Sequence, residues 1–178
     1  MNTETVEALP AVIEVRTRSG AVIAVRPVTV ADEPLLEEFF DRVSDEDRRF
    51  RFLSAHKHVG HQVLAPMVEV DHFRTETWIA FDEASDTVIG TAMLACDNPL
   101  DTGEIAVSVC SNWRGKGVGW ALLDVIADAA RHRGLRRVIS IEDRENHAAI
   151  DLEREKGFVP HAVEGDATLV MLEKILRD

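Results

Sequence analysis

Residues 105–134 constrain the fold more than any other stretch of this chain. Ile105, Val107, Val109 and Cys110 belong to an apolar run with the character of a mostly buried strand. Asn112 and the cluster Arg114-Gly115-Lys116-Gly117-Val118-Gly119 break it. Beyond the break Val118, Leu122, Ile126 and Ala129 recur at helical spacing, with Leu123, Ala127 and Ala130 beside them. Arg131, His132 and Arg133 fill the last turn and Gly134 follows, which suits the negative end of a helix dipole and a glycine C-terminal stop. The pattern predicts a strand, a glycine turn and one long amphipathic helix.

A strand that feeds glycines into a helix N-terminus has a specific chemical use. The first N–H groups of a helix lack intrahelical partners and sit at its positive end. Glycines let that backbone curl and approach a ligand closely. Together they make an anion cradle, commonly for phosphate, and Arg114 and Lys116 add positive charge at its rim. An ordinary strand-to-helix turn, with glycine for tightness alone, fits the same spacing. Two familiar phosphate motifs are excluded. The P-loop ends in Gly-Lys and then Ser or Thr, whereas the final Gly119 here precedes Trp120. The dinucleotide fingerprint G-x-G-x-x-G fails because these glycines run G-x-G-x-G. The run about 20 residues on holds His132, Arg133, Arg136 and Arg137 rather than an acid.

The segment from Arg114 to Gly119 resembles the acyl-CoA pyrophosphate loop, Q/R-x-x-G-x-G/A, of the GNAT N-acetyltransferase superfamily. Two further segments carry the same resemblance. Asn146 to Phe158 reads N-x-x-A-I-x-L-x-x-x-x-G-F and is similar to the second CoA-contacting motif of those proteins. Upstream, the run from Arg26-Pro27 through Asp32-Glu33-Pro34 and Phe39-Phe40 to Ser44, followed by the R-x-R-F stretch at 49–52, resembles one subgroup. That subgroup comprises the acetyltransferase domains acting on lysines of acyl-CoA synthetases. The resemblance spans about residues 12–176. It implies an α/β domain with a mixed, mainly antiparallel sheet flanked by helices, and acyl-CoA wedged where the central strands part.

The resemblance also implies site residues. In the subgroup a catalytic glutamate lies just ahead of the loop in a pattern like E-x-A-V-x-V, and Glu104-Ile105-Ala106-Val107-Ser108-Val109 matches it. Read from position alone, Glu104 at a strand start is equally an exposed surface carboxylate. By the same analogy, backbone N–H groups near Val107 and Val109 orient the pantetheine and polarise the thioester carbonyl. Arg114, Gly115, Lys116, Gly117, Val118 and Gly119 hold the pyrophosphate, and Asn146 contacts the CoA arm. Many relatives carry a tyrosine after the leucine of the second motif, where it protonates the leaving thiolate. This chain has Glu153 there and no tyrosine anywhere, so the resemblance leaves that proton to water.

The remaining sequence narrows the function. A chain of 178 residues suits one domain with a sizeable core. A net charge of −12 argues against a nucleic-acid partner and is compatible with a cationic or amine-bearing one. Cys96 and Cys110 lie in apolar runs and read as core residues of a reducing compartment, not as a disulfide or a nucleophile. His56, His58 and His61 have no suitably placed cysteine or carboxylate nearby to complete a zinc site, so they read as a polar loop rather than a metal site. No apolar run approaches the ~20 residues of a membrane helix, and residues 1–10 are acidic and unlike a signal peptide. The expectation is a flexible tail at 1–10 and one GNAT domain at 11–178, cytoplasmic, with acetyl-CoA as acyl donor and no metal.

Acceptors compatible with this reading are a protein lysine, which the subgroup resemblance places on an acyl-CoA synthetase, and a small amine such as a polyamine or aminoglycoside. A non-catalytic acyl-CoA-binding regulatory module is the alternative outside enzymology.

Overall fold

The computed structural model describes residues 11–177; the tail expected at 1–10 lies outside the described residues. Eight strands form one sheet in the order β1-β2-β3-β4-β5-β6-β8-β7. They are β1 (Ile13–Arg16), β2 (Val22–Pro27), β3 (Thr75–Asp82), β4 (Thr87–Cys96), β5 (Thr102–Val109), β6 (Arg137–Asp143), β7 (Val159–Ala162) and β8 (Leu169–Ile175). Every pairing is antiparallel except β5 with β6, which run parallel. The sheet is mixed and mainly antiparallel, and its one parallel joint lies at the centre.

Five helices flank it: α1 (Glu33–Asp41), α2 (Asp45–Phe52), α3 (His61–Val68), α4 (Val118–His132) and α5 (His147–Glu155). Their boundaries follow local chemistry. The Thr29 N–H donates to the Asp32 carboxylate at 2.7 Å, and a short 3-10 turn then enters α1 with Pro34 in its first turn, where no N–H is required. Ser44 Oγ caps α2 by accepting from the Asp47 N–H at 3.1 Å. Asn146 caps α5 through the Ala149 N–H at 3.4 Å. Gly134, at φ +75°, closes α4.

Helix α4 lays Val118, Leu122, Ile126 and Ala130 into the core, each at most 1 % exposed. Its packing is tight against β4: a Cβ placed on Gly90 would stand 3.0 Å from a Leu122 methyl. Buried Arg48 fixes α2. Its guanidinium donates to the carbonyls of Phe40, Val43 and His56, which ties α2 to the end of α1 and to the following loop.

Three expectations shift. Glu104, expected at the strand start, is the third residue of β5, because Thr102 and Gly103 already pair with Arg137 and Val138 of β6. Glu142 and Asp143 belong to the charged run Glu142 to Glu145, which reads from the sequence as a turn, but they extend β6 through pairing with Val170 and Leu169. Cys110 is fully buried, but Cys96 ends β4 half-exposed.

Candidate active site

The central joint opens into a cleft. Strands β5 and β6 are paired only at Thr102–Arg137, Gly103–Val138 and Glu104–Ile139, and then diverge. Beyond Glu104, β5 keeps β4 on one side only. The Asp97 N–H to Thr102 carbonyl bond and the Cys110 N–H to Ile89 carbonyl bond set the alternation of that ladder. In an antiparallel ladder alternate residues bond the same neighbour, so the even-numbered residues of β5 direct their peptide groups to β4. Ile105, Val107 and Val109 direct theirs into the cleft. Such a row of free peptide groups can pair with an extended amide-bearing ligand as a further strand would.

The glycine loop closes one end. Gly115 and Gly117 have φ of +74° and +84°, a region costly for residues with a Cβ. No side chain caps α4 at Gly117, so the loop presents a helix N-terminus with its own backbone donors. Against the loop packs the β1–β2 hairpin. Ser19 Oγ donates to the Lys116 carbonyl at 2.7 Å, and a Cβ on Gly117 would lie 3.1 Å from the Arg18 backbone nitrogen. Trp120 is held between two cations, with the Arg18 guanidinium and the Lys156 ammonium each 3.9 Å from its ring centroid. Arg114 is less free than its sequence context suggests, because Asp47 of α2 pairs with it at 3.1 Å. Lys116 rests over the Trp113 ring at 4.7 Å.

Helix α5 forms the opposite wall. Gly119 permits its close approach: a Cβ there would meet a Leu152 methyl at 3.1 Å. The cavity so enclosed holds about 720 Å³, within the range of small-molecule sites. Glu104, Val107, Val109, the whole of residues 114–119 and Asn146 line it, so all the residues expected from the sequence converge on one cavity. Asn146 does more there than cap its helix. Its Nδ2 donates to Glu142 at 3.0 Å.

Three charged residues at the deep end had no assigned role in the sequence reading. Glu142 of β6 and Glu153 of α5 are neighbours, and Ser140 Oγ donates to Glu153 at 2.5 Å. Burial pushes the Glu153 carboxyl up to about 8, and the neighbouring Glu142 charge adds to the shift. Burial raises Glu142 as well, against the opposing pull of the Asn146 hydrogen bond, of neighbouring Glu153 and of Arg51. Arg51, from α2, feels both Glu142 and Glu104; burial lowers its pKa, and its Nε is buried without a hydrogen-bond partner. Glu104 itself is exposed to the cleft and touches a second, shallower depression beside Ala95, Cys96, Thr102, Arg137 and Ile139. It therefore stands between two openings.

The histidines are dispersed onto separate partners. His56 bonds Ser54 at 2.8 Å, His58 bonds Glu37 and Asp41, and His61 bonds Glu33 at 2.6 Å. Among the described residues no three His, Cys, Asp or Glu side chains gather as a metal site would require. Burial raises both thiols, Cys96 and Cys110, away from the nucleophilic thiolate form.

A parted parallel joint beside a glycine loop is the feature by which comparison with known proteins can be judged. The profile described as the acetyltransferase (GNAT) family matches residues 33–158, from α1 through α5 and the Phe158 that follows. The chain belongs to the GNAT acetyltransferase family. Acetyltransferase PA5475 of Pseudomonas aeruginosa is 26 % identical over 154 residues, covering 85 % of this chain and 83 % of that one. The crystal structure of the GNAT domain of S. lividans PAT superposes with a TM-score of 0.85 at 27 % identity, covering 92 % of this chain and 96 % of that domain. The cAMP-binding acyltransferase from Mycobacterium smegmatis matches with a TM-score of 0.65 at 23 % identity, over 95 % of this chain but 48 % of that one. That likeness is one of fold. As a GNAT member, this chain is an acetyl-CoA-dependent N-acetyltransferase.

Proposed function

We propose that this protein transfers the acetyl group of acetyl-CoA directly to a primary amine, a protein lysine in the first place, with Glu104 as general base. The observation that carries the reading is the position of Glu104. It is the last residue of β5 paired to β6, at the point where the cleft begins and where a second opening reaches the same carboxylate.

A lysine-type amine has a pKa of about 10.4 and is mostly protonated at neutral pH, so it cannot attack a thioester until a proton is removed. Glu104 removes it, directly or through one water. The Val107 and Val109 amides hold the pantetheine arm and polarise the thioester carbonyl. Residues 114–119 supply backbone donors and the Lys116 charge to the pyrophosphate, while Asp47 offsets Arg114. Asn146 stays at the cavity wall, where its side chain serves α5 and Glu142 and its surface borders the CoA arm. No metal takes part.

Lysine is favoured over a small amine by the likeness of residues 26–52 to domains that acetylate acyl-CoA synthetases. The same likeness supports residues 11–178 as one catalytic domain working in the cytoplasm. Among the described residues no helix is long and apolar enough to cross a membrane. Incubating candidate acyl-CoA synthetases with this protein and acetyl-CoA, then mapping acetyl-lysine by mass spectrometry, tests the acceptor. Acetylation of a single active-site lysine is expected. Modification of free polyamines alone, with the synthetases untouched, contradicts it.

A further inference from the structure

Acyl transfer requires an acid as well as a base, because the C–S bond breaks with its electron pair on sulfur. The chain contains no tyrosine. Of the other carboxylates lining the cavity, Asp47 is paired with Arg114 and Glu155 with Arg18. Glu153 is different. It is 5 % exposed, lines the cavity, accepts from Ser140 and stands beside Glu142. Two neighbouring carboxyl groups in a buried site repel each other when both are ionised, so the pair holds a proton.

Their place along the cleft follows from register. Ile139 is the partner of Glu104, and three residues further, ~10 Å along each strand, Glu142 stands across the cleft from Val107. Glu142 accepts from Asn146 and faces the Arg51 charge, so it is the member held as carboxylate, and Glu153 keeps the proton.

We propose that Glu153 is the general acid that protonates the departing CoA thiolate, with Glu142 as the positioning residue that keeps the proton on it. This rests on the placement of the thioester beside Val107 and Val109 given above. The amine nitrogen forms the C–N bond as the C–S bond breaks. The sulfur electron pair takes the proton from Glu153, giving the thiol. The nitrogen sheds its second proton to solvent as the amide forms, Glu153 takes up one proton from solvent in its place, and the proton collected from the ammonium by Glu104 is released. The net reaction is ammonium plus thioester to amide, thiol and one proton. A free thiol titrates at about 8.5, close to the Glu153 carboxyl, so the transfer is nearly balanced in energy.

The test compares wild type, Glu153→Gln and Glu142→Gln with acetyl-CoA and a lysine peptide as probe. The charged groups facing the pair are Arg51 from α2 and Asp143 of β6, and Glu104 from β5 acts on Arg51 in turn. In wild type, kcat should fall as pH rises through about 8, where the acid loses its proton. Glu153→Gln keeps the Ser140 contact but has no proton to give. Its kcat should drop by ~10²-fold or more, with acetyl-CoA affinity unchanged and the alkaline limb gone. In Glu142→Gln the neighbouring anion is removed, so the limb should move to lower pH. Infrared spectra at neutral pH should show a protonated carboxyl band in wild type that is absent from Glu153→Gln.

Absence of that band in wild type overturns the proposal without any need for turnover. So does a Glu153→Gln enzyme with wild-type kcat and an intact alkaline limb. Glu104→Gln, run alongside, separates the causes. If it loses activity while Glu153→Gln does not, the acid alone is wrong. If both keep wild-type kcat, the placement of the thioester is wrong and the acid falls with it.

Discussion

Two glycines of the loop at residues 114–119 share a backbone conformation but not an environment, and replacing each with alanine separates the two contributions. Gly115→Ala and Gly117→Ala both place a Cβ at positive φ, +74° and +84°, costing roughly 1–2 kcal/mol each. Both also restrict the unfolded chain by the same amount, so that effect cancels in the difference. A Cβ on Gly115 meets nothing within 4 Å. On Gly117 it meets the Arg18 backbone nitrogen at 3.1 Å and the Thr17 and Arg18 Cβ atoms at 3.3 and 3.5 Å. Those atoms cannot yield cheaply, because the hairpin is closed by Gly20 N–H to the Thr17 carbonyl and tethered by Ser19 to the Lys116 carbonyl. Overpacking of this kind costs about 1–3 kcal/mol. Gly117→Ala should therefore be less stable than Gly115→Ala by that amount, read as a lower urea midpoint at unchanged slope. In a chain of this size each kcal/mol lowers Tm by roughly 2–4 °C. Equal midpoints for the two variants would refute the idea that the β1–β2 hairpin buttresses the loop.

Gly119→Asp should abolish acetyl-CoA binding in calorimetry, since it sets a carboxylate against the pyrophosphate and a Cβ 3.1 Å from Leu152; wild-type affinity contradicts the loop assignment. Glu153 should also mark stability. Its folded pKa of about 8 lies above the ordinary 4.5, so the unfolded state loses its proton first and wild-type stability falls as pH rises between those values. Glu153→Gln should thus gain on wild type across that window, by at most about 5 kcal/mol at 1.36 kcal/mol per pH unit. A difference independent of pH refutes a protonated Glu153. Exhaustive chelation should leave turnover intact, because His56, His58 and His61 are each engaged with separate partners; chelator-sensitive activity contradicts this.

Much of this arrangement is legible in the sequence because it is local. The strand, glycines and helix from Ile105 to Gly134 follow from spacing, and the Ser44 and Asn146 caps follow from side-chain chemistry next to their helices. What is not legible is long-range. Nothing near Lys116 announces that Ser19, 97 residues earlier, bonds its carbonyl. Glu142 sits in a run of charges that looks like a turn, and only its pairing with Val170 keeps it in the strand. Glu153 stands out as a carboxylate where relatives carry a tyrosine, yet its protonation depends on Glu142 and on burial that the fold alone creates. Arg51 carries no local signal beyond its motif, and its place facing both Glu104 and Glu142 is set by Arg48 anchoring α2.

The most direct test of acetyl transfer with Glu104 as base is the kcat of Glu104→Gln at neutral pH. Gln keeps the shape and hydrogen-bonding reach of the side chain but cannot accept a proton. General-base assistance is worth about 10²–10⁴-fold, so kcat should fall by that factor while acetyl-CoA affinity stays unchanged. Raising the pH from neutral towards about 8, below the point where Glu153 loses its proton, should recover part of the rate as free amine becomes more abundant. A folded Glu104→Gln enzyme with near wild-type kcat at neutral pH would contradict the mechanism.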